Sequence, residues 1–143
     1  MFSLEILPMI YKITLSAALG MIIGIERERR DKPAGLRTHA LVAIGATLFT
    51  ILSFVDLSGG INYAFDPSRI AAQVVVGVGF LGAGMIFMTK GEARGLTTAA
   101  GIWVTAAIGM SVGFGAYAIA IYTTILVFLI LWAFRYLESK IHE

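Results

Sequence analysis

The 143-residue chain has no cysteine, three prolines, two histidines and only 14% charged residues. Without a thiol there is no disulfide scaffold and no thiolate chemistry. Two histidines do not furnish a zinc site of the usual His/Cys type, and no cofactor is implied. The shortage of charge decides more. A soluble domain carries about 25% charged and about 45–50% apolar residues, whereas 58% of this chain is hydrophobic and its mean hydropathy is +0.86. So little polar surface cannot cover a globule, which makes lipid the solvent. A disordered chain and a collagen-like fibre are excluded by the same composition.

The charges that are present cluster. Eight lie between Glu26 and Arg37, namely Glu26, Arg27, Glu28, Arg29, Arg30, Asp31, Lys32 and Arg37. A basic block can signal nucleic acid, but beside so much apolar sequence it reads as a cytoplasmic loop, and no nucleic-acid partner is expected. The opening MFSLE has no Lys or Arg and includes Glu5, unlike the basic start of a cleaved signal peptide. The N-terminus is therefore expected to remain.

A transmembrane helix needs about 20 mainly apolar residues. Hydropathy predicts spans over about 6–25, 38–55, 70–88, 97–112 and 116–134, all in one domain covering 1–143. The last two come from a 38-residue run, Thr97–Phe134, without a formal charge. One helix of that length would reach roughly 57 Å at 1.5 Å per residue, so the run must break, and Gly113-Phe114-Gly115 is the place. Pro8 falls in the first turn of span one, where its missing N–H costs little; Lys12 is expected to snorkel toward the headgroups. The expected fold is an all-α, polytopic bundle of five transmembrane helices. Lys and Arg gather after spans one and three (Lys90, Arg94) and after span five (Arg135, Lys140), whereas the loop after span two has only Arg69 beside Asp56 and Asp66. The positive-inside rule then places the N-terminus outside and the C-terminus in the cytoplasm.

Gly35-Leu36-Arg37-Thr38-His39-Ala40 and Gly95-Leu96-Thr97-Thr98-Ala99-Ala100 share G-L-x-T-x-A, 60 residues apart. At the same offset Gly24 matches Gly84, Ala46 matches Ala106 and Arg30 faces Lys90. Spans one–two and three–four therefore read as two parallel copies of a helical hairpin. Spans two and four would both enter from the cytoplasm, with Thr38 and Thr98 (or Thr97) capping their N-termini. Helix N-termini favour anions, and Arg37 and Arg94 add positive charge. The expectation is a paired vestibule for an anionic group or a partner, built from Glu26, Arg37, Thr38, His39, Arg94, Thr97 and Thr98. The alternative is that these arginines only set topology.

Span three holds Gly77, Gly79, Gly82 and Gly84. Gly77–Gly82 fits G-x-G-x-x-G, but lacks the preceding strand and the acidic residue about 20 positions on that a dinucleotide site needs. The favoured reading is close helix packing, with Ala17, Gly20 and Gly24 offering span one a similar surface. A partly unwound helix lining a polar site is the sharper one. Gln73 should face the bundle, since an amide in lipid leaves its hydrogen bonds unmade. Asp66 reads as an N-cap before Pro67, with Arg69 one turn on as its partner. Glu26, Glu28 and Asp31 could hold a hard cation, but the interleaved arginines make ion pairing the simpler account, so no metal site is assigned. His39 at the inner end of span two can titrate; His142 lies in the tail. No nucleophile–base pair or P-loop is present, and an enzyme is not expected.

Ile23–Glu28, Pro33–Val42, Asp66–Val75, Gly77–Gly84 and Arg94–Val104, taken in order, closely resemble the membrane domain of the MgtC/SapB family of bacterial inner-membrane proteins. The resemblance covers roughly positions 15–112. It implies an inner-membrane protein associated with magnesium limitation, acid stress and, in pathogens, survival in host cells. It further implies a regulator acting on another membrane protein, with the F-type ATP synthase as the family's partner, rather than the Mg²⁺ transporter once suspected. Many members carry a soluble cytoplasmic domain after the last span; here the sequence stops about nine residues past Phe134, so that domain is expected to be absent. A small transporter or channel, with spans three and four around Gln73, Gly79 and Gly82, is the second expectation. Only Gln73 is deeply placed and no carboxylate is embedded, and a cation path usually needs more. Self-association is also expected from the glycine faces.

Overall fold

The computed structural model describes residues 6–54 and 66–141, with backbone alone for 135–141. Glu5, Asp56 and His142, the last residue of expected span two (Val55), and the side chains of Arg135 and Lys140 lie outside the described residues. Five helices follow in order: α1 (Ile6–Glu28), α2 (Leu36–Leu52), α3 (Pro67–Gly84), α4 (Leu96–Gly113) and α5 (Tyr117–Ile141). Between α3 and α4 stands a short antiparallel hairpin, β1 (Phe87–Thr89) and β2 (Glu92–Arg94). The molecule is an all-α bundle apart from that hairpin.

Local chemistry sets the element ends. Asp66 caps α3, accepting from the Ser68 amide at 3.0 Å and from Ser68 Oγ at 2.6 Å, and Pro67 occupies the first helical position. The apolar run of 97–134 breaks at its glycines: α4 ends at Gly113, and Gly115 takes a φ of +83° before α5 begins. Expected span three is shorter than hydropathy suggested. Its helix stops at Gly84 and Phe87–Thr89 goes into a strand, because Lys90 (φ 52°) and Gly91 (φ 82°) form a two-residue left-handed turn that closes a hairpin.

α4 is the hub, packed against α1, α2, α3 and α5; α1 also meets α2 and α5, and α2 meets α3. α2 and α4 run parallel, shown by the matched contacts His39–Thr105, Thr47–Gly109 and Thr50–Gly113. The helices approach through small residues: a Cβ on Gly20 would lie 2.6 Å from the His39 carbonyl oxygen, and one on Gly24 2.5 Å from Leu36 Cα. The Lys12 ammonium donates to the Gly113 carbonyl at 2.9 Å. That answers the negative end of α4, a more specific role than the expected snorkelling. Tyr11 and Tyr117 meet edge to face nearby, with centroids 5.8 Å apart.

α1, α4 and α5 are long and apolar enough to cross a membrane. α2 is apolar but has 17 residues, about 25 Å at ~1.5 Å per residue, and α3 is not among the long apolar helices. The chain is a membrane protein.

Candidate functional site

The end of the bundle where α1 finishes and α4 begins holds a cavity of about 1040 Å³. Glu26, Arg27, Arg29, Arg30, Asp31 and Lys32 line one side, the hairpin and the start of α4 (Arg94, Thr97, Thr98) another, and Ile130, Leu131 and Phe134 of α5 give an apolar wall. The stripe Ser16, Gly20, Ile23, Arg27 recurs every three or four residues on the buried face of α1, so Arg27 is carried into the interior at 5% exposure. Its Nη2 donates to Thr98 Oγ1 at 3.3 Å. Glu26, 4% exposed, pairs with Arg30 and lies 3.6 Å from Arg27 Nη1. The Arg27 Nε and Arg30 Nη1 groups are buried without hydrogen-bond partners.

The expected vestibule divides in three. Glu26, Arg94, Thr97 and Thr98 come together at the cavity; Arg37 and Thr38 do not line it; His39 is fully buried between α2 and α4. The capping role expected of Thr38 and Thr98 is not taken. Gly35 and Gly95 are the N-caps, without side-chain capping bonds of their own, and Thr98 serves instead as the acceptor for Arg27. Nor are the two N-termini equivalent. At α2 the Glu28 carboxylate accepts from the Leu36 amide at 2.8 Å, so an acidic side chain already closes that end. At α4 no side chain of the N-cap does so. Arg94 is exposed on β2, 3.9 Å from Glu92.

His39 Nδ1 lies 2.8 Å from Thr105 Oγ1, which in turn donates to the Gly101 carbonyl at 2.8 Å. A hydroxyl has one proton. With that proton on Gly101, Nδ1–H is the donor to Thr105, and the His39 Nε2 lone pair is left unpartnered in the core.

A second feature lies between α2 and α3. An apolar groove of about 650 Å³ runs from Phe49, Arg69 and Ile70 to Leu41 and Leu81, with Gly45 and Gly77 in its floor. Gln73 lines it and is exposed, contrary to the expectation that it faces the bundle. The reason is the narrow buried stripe of α3, Ala71, Val74, Val78 and Gly82, which leaves Gln73 off it. The packing role expected of Gly77, Gly79 and Gly84 is also absent among the described residues, since an added Cβ would meet none of them within 4 Å. Gly82 stands in ordinary contact with Ala99 at 3.7 Å, and Gly24 is tightly packed. Asp66 is the cap it was expected to be, but no ion pair within 4 Å joins it to Arg69 among the described residues. The Ser68 hydroxyl and amide, as hydrogen-bond donors, hold the Asp66 carboxyl below its usual range. Among the described residues no group of three acidic or histidine side chains could hold a metal ion.

The sequence reading does not assign the interior role of Arg27 or the packing roles of Gly101, Thr105, Gly109 and Gly113. The spacing of Gly101, Thr105, Gly109 and Gly113 repeats a small residue every fourth position, the signature of close helix packing in membranes, and would have identified α4 as the hub.

Comparison with known proteins identifies the family. YhiD of Escherichia coli (strain K12), provisionally named a magnesium transporter, is 48% identical over 135 residues, 92% of this chain and 63% of that protein. The MgtC protein of Salmonella typhimurium (strain LT2) is 46% identical over 120 residues, 84% of this chain and 49% of its own length. An uncharacterised Synechocystis protein is 40% identical over 132 residues, 92% of this chain and 54% of that one. The chain thus spans between about half and just under two thirds of these relatives. No solved structure matches. A profile of the MgtC family matches residues 13–140, and on that match, together with the apolar helices, the chain belongs to the MgtC family of membrane proteins.

Proposed function

We propose that the protein is a non-enzymatic regulator of the bacterial inner membrane, tied to magnesium limitation or acid stress, that acts by direct helix contact with another membrane protein. The observation that carries this reading is the outward face of α3. A Cβ added at Gly77, Gly79 or Gly84 would meet nothing within 4 Å among the described residues, and Phe80 is 81% exposed. Gly20, Gly24, Gly109 and Gly113 are by contrast covered by another helix, while Gly45 of α2, in the same groove, is open as well. In lipid, small residues let helix backbones approach closely and so supply the dispersion contacts that drive association. The apolar groove beside them is elongated along α2 and α3 and suits one further transmembrane helix. All five helices cross the bilayer in this proposal, with the basic vestibule on the cytoplasmic side and the N-terminus outside, following the positive-inside rule. The family resemblance makes the F-type ATP synthase the first partner to test.

Transport is the second reading, and it rests on the name of the Escherichia coli relative. The groove supports it less, because its polar lining is limited to Arg69 and Gln73 and a cation path through lipid ordinarily requires carboxylates or carbonyl rings. The deciding experiment is photocrosslinking from positions 77 and 79 in native membranes, with mass spectrometry of the adducts. The expected result is one heterologous membrane complex, lost when Gly84 is replaced by Leu. Adducts only to lipid or to a second copy of this chain would overturn the regulator, and Mg²⁺ flux into liposomes would then establish the transporter.

A further inference from the structure

We propose that the vestibule at the start of α4 is a binding site for a phosphate group, held between the buried Arg27 and the open N-terminus of that helix. Three independent features meet there. First, the opening turn of any α-helix leaves N–H groups without intrahelical acceptors and carries partial positive charge. At α4 the N-cap is Gly95, which has no side chain to satisfy them, whereas the matching end of α2 is closed by Glu28. Second, Arg27 is 5% exposed, lines the cavity, and has an Nε–H with no acceptor. A buried donor without a partner costs about 1–3 kcal/mol, more when it is charged; Glu26 at 3.6 Å and Thr98 meet the two Nη groups, and the Nε–H is left for a further acceptor. Arg30 repeats the pattern, with a buried Nη1 lacking a partner although its Nε pairs with Glu26. Third, the charge balance is positive: Glu26 and Asp31 oppose five basic side chains in the lining, and Glu92 answers only Arg94 at the rim.

The chemistry selects a phosphate over a smaller anion. Guanidinium forks and backbone amides present paired N–H donors, which match several oxygens on one centre, and a cavity of about 1040 Å³ is far larger than a halide needs. The wall formed by Ile130, Leu131 and Phe134 is apolar, so a phosphate attached to an acyl-glycerol could lay its non-polar part there; a free phosphate would use the basic side alone. The site lies at the opposite end of α3 from the crosslinking face's outer groove mouth at Arg69 and does not depend on a protein partner.

The test uses the purified full chain in detergent, reading thermal unfolding against inorganic phosphate, then against phosphatidylglycerol with phosphatidylcholine as the control lipid. Chloride and acetate at matched ionic strength are run alongside. Arg27→Gln is expected to weaken binding about tenfold or more, as loss of a charge-assisted hydrogen bond does. Arg29→Gln at the cavity, which is exposed and leaves the core intact, is expected to weaken it about threefold. Arg37→Gln, basic and on the same end but outside the cavity, is expected to leave it unchanged. Should Arg27→Gln fail to fold, Arg29→Gln against Arg37→Gln carries the comparison. Stabilisation by phosphate and by phosphatidylglycerol supports the site with either source; stabilisation by the lipid alone assigns a headgroup, and by phosphate alone a soluble ligand. Equal stabilisation by chloride or acetate, no stabilisation at all, or an equal effect of Arg29→Gln and Arg37→Gln would overturn the proposal.

Discussion

Phe54 and Phe114 stack edge to face with ring centroids 5.6 Å apart and planes at 89°, and they are separated by the same 60 positions that relate the two G-L-x-T-x-A segments. Residues in equivalent places of two copies can touch each other only near the axis that relates the copies. Ala46 and Ala106, also 60 apart, belong to one core cluster.

That pairing makes the first prediction. Aromatic pairs of this geometry contribute about 0.5–1.5 kcal/mol beyond their area. Phe54→Leu and Phe114→Leu should therefore each lower stability, and the double variant should lose less than the sum by about 0.5–1 kcal/mol. Denaturation in detergent micelles provides the cycle; strict additivity would mean that the rings do not sense each other.

Glycines that look alike in the sequence should behave oppositely. A Cβ on Gly109 would run into the backbone carbonyl of Ala43, and one on Gly113 would come within 2.6 Å of Thr50 Cβ, whereas Gly77 and Gly79 have open space. Overpacking of this kind costs about 1–3 kcal/mol. In a helix facing open space, Gly→Ala instead gains up to about 1 kcal/mol. Melting curves of Gly109→Ala and Gly77→Ala in the purified protein should shift in opposite directions. A parallel loss in both would show that α3 is covered in the isolated chain.

The same contrast marks how far the sequence could be read. Helix number, the break at Gly113–Gly115 and the Asp66 cap follow from hydropathy, glycine and short-range hydrogen bonding, all of which are local. The helical fate of Glu26 and Arg27 does not follow, because a charge cluster by itself reads as loop, whereas the buried stripe of α1 runs on through Arg27. Gln73 was misplaced for a related reason: polarity predicts a wish for partners, but only the register of Ala71, Val74 and Val78 decides which way a residue faces. The vestibule's asymmetry was also hidden, since it depends on Glu28 reaching Leu36 across a turn that the repeat does not preserve.

At the far end of α3, the Asp66 cap should give a pH signature. Its hydrogen bonds to Ser68 keep the folded carboxyl below the ordinary value of 3.8. The stabilisation is therefore fully present above the unfolded value and is lost as pH falls through the lower, folded one. Asp66→Ala should lower the melting temperature at neutral pH, and its difference from the parent should shrink as the pH is taken below about 3.8. Asp66→Asn, which keeps an acceptor for the Ser68 amide, should lie between the two. A difference that stays constant down to the acid limit would show that the cap's charge is immaterial.

The central pair of helices offers a spectroscopic prediction. Thr105 Oγ donates to Gly101 and so must accept from His39, which fixes the proton on Nδ1 and leaves Nε2 bare in the core. Nitrogen chemical shifts of ring-labelled protein should report a neutral Nδ1–H tautomer for His39, opposite to the Nε2–H form usual for a free neutral imidazole. Thr105→Val keeps the shape and removes the acceptor. Leaving a buried donor unmet costs about 1–3 kcal/mol, and the imidazole should then change tautomer or rotate, since neither ring nitrogen retains a partner. Thr105→Ser restores the oxygen and should recover both the tautomer and most of the stability. An Nε2–H signal in the parent protein would mean that Thr105 donates to His39 Nδ1 instead, and the Nε2–H would then be the buried group left without a partner.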